Sequence, residues 1–294
     1  MKIIEPYARI IDHEENYQVM EVAARNCYAS PLSKTVEKRK KFVSKIVLKN
    51  KHQSIAEHEG LTFFIENLKD QELMKIISKN PYLARGVEKV KNWVIISGNV
   101  RMWLELLEDD AYSKHLFGHS LNKEYPEFFS PMNDGIILPY ALSQKDEIIE
   151  KSKELGIDVN VKQHALLSFK IMGSRAMQQQ LTRHRNPVYS ISSLRYIDLN
   201  KKVGIEFISP DNNKFIFKFF LKLSSLPYKF LTWIKPEDRR AILPLATAST
   251  IIVTTTVEDW EHIIAQRTVK AAQLEIRTLL TTVKNEVEKL FEEN

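Results

Sequence analysis

The chain has 294 residues, 44% of them hydrophobic, enough to bury a core of its own and a length between one large domain and two. Its formal charge of +6 comes from 43 basic and 37 acidic side chains, a small excess that favours anionic partners without singling out nucleic acid, because nucleotides satisfy it equally. One cysteine, Cys27, excludes an intrachain disulfide and a thiolate-rich metal site. It also implies a reducing compartment, and the opening MKIIEPYARIIDHEEN lacks the layout of a signal peptide, so a cytoplasmic location is expected.

In chain order, residues 3–11 read as an edge strand and 17–27 as a helix. A second helix is expected over 36–48, and LTFFIE at 61–66 has the composition of a strand. From about 69 to 157 helical patterns alternate with polar turns such as NDGI at 133–136. VNVKQHALLSFKI at 159–171 is strand-like, and Gly173 opens a helical run over 174–184. GIEFIS at 204–209 reads as a short strand. The greasiest stretch, FIFKFFLKLSSLPYKFLTWI at 215–234, is interrupted by Lys218, Lys222, Pro227 and Lys229, which favours a buried amphipathic helix pair over a membrane span. TIIVTTTV at 250–257 is a strand by its β-branched run. Beyond it, Ile263, Ile264, Ile276, Leu279, Leu280, Val283, Val287 and Leu290 have helical spacing. The mixed order gives an α+β class, with no internal repeat and no low-complexity tract.

Several chemistries fail on these residues. The eight glycines are scattered and form neither a dinucleotide fingerprint nor a P-loop. His115 and His119 lack a third ligand, so no metal site is expected. Cys27 has no histidine near it in sequence and reads as inert. RHRNPVYSISSLRY at 183–196 is different, because the fixed donors Arg183, Arg185 and Arg195 alternate with Ser190, Ser192 and Ser193, a mixture suited to phosphate. QLTRHR at 180–185 adds Gln180 to Arg183 and His184 on one helix face.

Arg183, His184 and Arg185, followed after seven residues by Ser193, then Arg195 and Tyr196, resemble the signature of flavin-dependent thymidylate synthases. HQSIAEH at 52–58, RRAILPL at 239–245 and DWEHIIAQRTVKAAQLEIR at 259–277 resemble further segments of that family in the expected order. The resemblance covers residues 17–66 and 164–294 and implies one domain with a central antiparallel sheet flanked by helices, carrying a long, mostly helical insertion at about 69–157. It implies homotetramers with shared active sites that convert dUMP to dTMP, using methylenetetrahydrofolate as carbon donor and NADPH to reduce FAD.

Through that resemblance, Ser54, Glu57, Arg183, His184, Arg185, Ser190 and His262 belong with FAD. Gln180, Arg183, Ser193 and Arg195 belong with dUMP, joined by Arg240 from a neighbouring subunit. Arg267 would bind the pyrimidine and act catalytically by stabilising developing negative charge, a role worth ~3 kcal/mol for one donor. His52 and Tyr196 would lie near the nicotinamide or folate. Two departures stand out. Ile191 occupies a position where many members carry glutamate or glutamine, and Thr256 and Glu258 stand where many carry an asparagine and arginine in a GNxR pattern. SGNVRMW at 97–103 has that pattern, so Asn99 and Arg101 are expected to enter the flavin pocket instead. A non-catalytic flavin or nucleotide binder and an RNA-binding module are the alternatives.

Overall fold

The structure is a computed structural model and describes residues 2–13, 15–108, 110–130, 132, 134–201, 204–209 and 214–292. The expected N-terminal strand is two, β1 (Lys2–Ile4) and β2 (Tyr7–Ile11), because Pro6 between them has no amide hydrogen to give a ladder. Helix α1 (Gln18–Tyr28) follows, then α2 (Val36–Ser44), whose first turn the Thr35 hydroxyl caps by accepting from the Lys38 amide. Strand β3 (Gly60–Glu66) is buried at every residue but the last, which makes it a central strand. The stretch expected as an insertion holds α3 (Asp70–Lys79), β4 (Val87–Val90), β5 (Trp93–Asn99), α4 (Val100–Glu108), α5 (Ala111–Glu124), α6 (Pro126–Phe129), β6 (Tyr140–Leu142) and α7 (Lys145–Leu155).

The strand expected at 159–171 begins later, after a single turn α8 (Val161–His164), and runs as β7 (Leu166–Ser174). Ser174 then caps α9 (Arg175–Leu181) by accepting from the Met177 amide at 3.0 Å. Next come β8 (Val188–Ile191), β9 (Glu206–Ile208), α10 (Lys214–Phe230), α11 (Pro236–Arg239), β10 (Ala248–Thr256), α12 (Val257–Arg267) and α13 (Leu274–Glu292).

The class is α+β, as expected, but there is more than one central sheet. Two four-stranded antiparallel sheets run β2-β7-β10-β8 and β4-β5-β3-β6, and β1 pairs with β9 in parallel. Side-chain alternation along β3 sends Phe63 into a core shared with α4 and α5, and Phe64 into a core built on β7, β10, α12 and α13. The sheets are laid out alike. In each, a strand, a helix and two more strands of the sheet come in that order along the chain, with β9, α10 and α11 set between β8 and β10, and the last strand lies between the other two before leading into a helix. The expectation of no internal repeat therefore fails at the level of topology, which residue identity along the sequence does not display.

Residues 215–234 also depart from expectation. Residues up to Phe230 belong to one helix carrying Pro227 inside it, rather than a helix pair, and among the described side chains of that helix only those of Leu221, Ser225 and Tyr228 are buried. Those three share one stripe by spacing, so the remaining apolar side chains point outward, with Phe215 83% exposed and Trp233, just past the helix, 76% exposed. Among the described residues no helix is long and apolar enough to cross a membrane.

Each of the larger cores contains an edge-on pair of a phenylalanine and a tryptophan. Trp103 meets Phe63 with ring centroids 5.0 Å apart, and Trp260 meets Phe169 at 5.0 Å. Both tryptophans are fully buried, so Trp103→Ala or Trp260→Ala should lower unfolding free energy by about 3–5 kcal/mol in urea denaturation, while a loss below about 1 kcal/mol would mean these rings do not key the packing.

Candidate active site

A cleft of ≈ 490 Å³ opens between α1, the turn at Gln53–His58, the first turn of α4 and β8 with the chain that follows it. Antiparallel pairing of β8 with β10 brings Tyr189, Ser190 and Ile191 to its wall. Past the strand, the Ser193 amide donates to the Cys27 carbonyl at 3.1 Å, fixing Ser193 beside the end of α1. Tyr196 lies across from Tyr28, their ring centroids 5.4 Å apart, and the Tyr28 hydroxyl is 3.4 Å from His52 Nδ1. Ser54 lines the same space.

Arg101 enters this cleft from α4. Its Nη1 donates to Glu57 at 2.5 Å and its Nε to Glu105 at 2.8 Å, which fixes the guanidinium plane and leaves Nη2 for a ligand. Glu57, and after it Glu105, raise its already high pKa against the opposing effect of burial. Asn99 behaves differently from Arg101. Its side-chain oxygen accepts from the Met102 amide at 2.9 Å and caps α4, so of the expected pair Arg101 alone lines the cleft.

Behind the cleft wall runs a buried polar chain. His58 Nε2 is 2.9 Å from the Ser190 hydroxyl and Nδ1 is 2.7 Å from the Thr254 hydroxyl. Thr254 in turn meets Ser168 at 2.6 Å, and Ser168 meets His13 at 3.0 Å. Burial lowers the His58 pKa to about 3, so the ring is neutral and can donate from one nitrogen while accepting at the other. Burial raises the Cys27 thiol against a hydrogen bond from Ser190, which agrees with an inert cysteine.

A second constellation lies at the other end of β8. Arg267 donates from Nε to His184 Nε2 at 2.9 Å and from Nη2 to the Gln180 carbonyl at 3.0 Å. His262 stands beside His184, with ring centroids 6.4 Å apart, and its Nε2 accepts from the Gln266 side-chain amide at 2.8 Å. Burial first, and Arg267 second, lower the His184 pKa, consistent with its accepting the arginine's hydrogen. Gln180 also bonds Gln273 through its side chain. The Tyr189 hydroxyl, 2.8 Å from the His184 carbonyl and 2.9 Å from that of Leu181, ties this constellation to the strand that lines the cleft.

The expected site residues thus fall into groups. His52, Ser54, Arg101, Ser190, Ser193 and Tyr196 share the cleft, with Glu57 holding Arg101. Gln180, His184, His262 and Arg267 are gathered elsewhere. Arg183 and Arg185 are exposed, Arg195 lies over the Tyr196 ring at 5.5 Å, and Arg240 donates to the Glu237 carbonyl at 3.0 Å near Arg175. Sequence reasoning missed Tyr28 and Tyr189, which carry no motif, and the wall-building role of His58, whose burial shows only in the fold.

The family profile described as "Thymidylate synthase complementing protein" matches residues 9–75 and 137–292, and the chain belongs to that family. Residues 76–136, which supply Arg101, lie outside the match. The flavin-dependent thymidylate synthase of Thermococcus onnurineus is 31% identical over 159 residues, 50% of this chain and 65% of that protein. Its namesake from Geobacter sulfurreducens is 32% identical over 139 residues, 45% of this chain and 60% of that protein. The match therefore spans less than two thirds of these relatives' own length. A solved UMP/dUMP methylase from Streptomyces cacaoi, bound with 5-Br UMP, aligns with a TM-score of 0.40 at 19% identity, covering 49% of this chain and 76% of that one, too slight a likeness to bear on fold or substrate.

The depressed pKa of His58 has a consequence for stability. The unfolded chain takes up a proton near pH 6.5 that the folded chain refuses until about 3, so stability should fall as pH drops through that window, by about 1.4 kcal/mol per pH unit from this ring. Urea unfolding at pH 7, 6 and 5 measures the slope. His58→Gln should remove about one proton's worth of it, and an unchanged slope in that variant would show the ring is not held neutral.

Proposed function

We propose that this chain is an FAD-dependent thymidylate synthase, converting dUMP to dTMP with methylenetetrahydrofolate as carbon donor and NADPH as reductant. The observation that carries this reading is the cleft in which Arg101, His52 and Ser54 from one part of the chain face Ser193 and Tyr196 from another. Its volume of ≈ 490 Å³ falls within the usual span for a small-molecule site, and its lining combines aromatic rings with a guanidinium and hydroxyls. That donor set fits a flat, phosphate-bearing group such as a flavin. When bound, FAD would supply the hydride transfer that no side chain here can perform.

The chain's own residues bind and orient. Arg101, held by Glu57 and Glu105, would donate from Nη2 to a phosphate, with Ser54 and Ser193 as neutral donors. Ser190 is held by His58 and would present a fixed oxygen to the ring system. His52 and Tyr196, both exposed at the cleft mouth, suit the nicotinamide or folate side. Arg267 keeps Nη1 for a ligand, and with Gln180, His184 and His262 it would bind the pyrimidine and stabilise negative charge as the ring is attacked. Arg183, Arg185 and Arg195 would hold phosphates from their exposed positions.

Within one chain Arg195, Arg240 and Arg267 occupy three neighbourhoods, so this function needs copies to assemble, with Arg240 delivered to the dUMP phosphate by a neighbour. The outward apolar face of α10 supports association, and a homotetramer in the cytoplasm is the proposed state. Ile191 lines the cleft and packs against a core, which favours a non-catalytic flavin or nucleotide binder as second reading, because its side chain offers no polar contact.

The purified protein should be yellow and bleach with NADPH, and should release tritium from C5-labelled dUMP when folate is added. Bleaching without tritium release would favour the non-catalytic reading, and a colourless protein that binds no FAD would remove both. Arg267→Ala should lower turnover on the order of 100-fold with little change in melting temperature. Equal losses of turnover and of folded protein would instead make Arg267 a structural residue.

A further inference from the structure

The likeness of the two sheets extends to single residues. Gly60 pairs with Asn99 at the start of one hairpin-like pairing, and Leu166 pairs with Thr256 at the start of the other. Setting Gly60 against Leu166 and Asn99 against Thr256 aligns the rest. Asn99 caps α4 on the Met102 amide at 2.9 Å, and Thr256 caps α12 on the Asp259 amide at 3.2 Å. The Val100 amide donates to the Glu59 carbonyl at 2.8 Å, and the Val257 amide to the Ala165 carbonyl at 3.1 Å. Phe63 with Trp103 and Phe169 with Trp260 are the same edge-on pair at matching positions.

The buried histidines show how the halves face each other. His58 and His164, both 0% exposed, fall at equivalent positions two residues before Gly60 and Leu166. His58 reaches out of its own half to Thr254 at 2.7 Å and Ser190 at 2.9 Å. His164 reaches the opposite way, to Ser97 at 2.6 Å and Glu88 at 2.9 Å. By strand register Ser97 stands where Thr254 does, and Glu88 where Ser190 does. Such reciprocal contacts are what a two-fold relation between like halves requires.

We propose that the chain is an internal duplication folded on itself about a pseudo-two-fold axis, in which one of two equivalent clefts takes a phosphate-bearing cofactor and the other is closed. Differences at matching positions say which is which. Where Ser190 ends in a short hydroxyl, the longer Glu88 passes His164 and accepts from the Asn160 amide at 3.0 Å, filling the space that the open cleft leaves beside Ser54. Where the open cleft has Arg101, the closed one has Glu258. A phosphate can accept from the Nη2 that Arg101 keeps after pairing with Glu57 and Glu105, whereas Glu88 and Glu258 as carboxylates offer it no donor. Conversely, Pro81, Tyr82 and Leu83 stand where the second half carries Arg183, His184 and Arg185. Each half keeps a different share of the polar residues, so the surviving cleft needs both.

The identity of the ligand rests on the function proposed above, and the experiment separates the two. The full-length protein, freed of bound flavin, is titrated with FAD by calorimetry and by quenching of flavin fluorescence. One equivalent per chain is expected, weakened more than tenfold by Arg101→Glu and changed less than twofold by Glu258→Gln. Two equivalents per chain would overturn the closed cleft while leaving the function standing. One equivalent sensitive to Glu258→Gln and indifferent to Arg101→Glu would overturn the choice of cleft. Absence of FAD binding would contradict the function and the ligand-bearing cleft together.

Discussion

The imidazole of His58 carries no charge and touches solvent nowhere, yet the geometry of the cleft depends on it. Its two nitrogens bridge hydroxyls on two neighbouring strands, Thr254 on β10 and Ser190 on β8, at 2.7 and 2.9 Å. A neutral ring is required, because one nitrogen must donate while the other can accept, and burial supplies that state by penalising protonation. An unpaired polar group at such depth would cost about 1–3 kcal/mol, so every member of the chain from His13 to Ser190 is held by its neighbours. The result is a cleft wall whose polar atoms are fixed before any ligand arrives.

The opposite wall is fixed by two glutamates, Glu57 and Glu59. Glu59, buried, accepts from the Tyr17 and Val19 amides and the Tyr125 hydroxyl, and so anchors the start of the helix that ends in Cys27 and Tyr28. Glu57, two residues earlier and on the other side of the turn, holds Arg101. The tight turn over Gln53–His58, with its three residues per turn, sends successive side chains in different directions and so divides the labour, with Glu57 holding Arg101, His58 joining the sheets and Glu59 fastening the helix. A site pre-arranged in this way loses little freedom on binding, which is how a small set of donors can select a ligand.

Much of this was legible in the sequence, and what was not has physical causes. Strands such as β3 and β10 and the C-terminal helices follow from β-branched runs and helical spacing, which local chemistry dictates. HQSIAEH and SISSLRY pointed to residues that do share the cleft. The GNVR corner split, because an asparagine at the junction of strand and helix finds its nearest donor in the helix's own first turn, whereas the arginine two residues on is long enough to reach away. The exposed face of α10 could not be read, since apolar content predicts burial without saying in what. Nor could the duplication. It survives in ladder register, in Val-x-x-Trp at both helix starts and in crossed histidines, none of which leaves much identity between the halves.

In the function proposed above, Arg101 from the first half and Ser193 from the second close on the same bound molecule. A crystal structure of the assembled protein grown with FAD and dUMP tests it most directly. The expected result is flavin density in contact with Arg101, His52 and Ser193. Flavin bound instead against Thr256 and Glu258, with Arg101 making no contact to it, would contradict the claim.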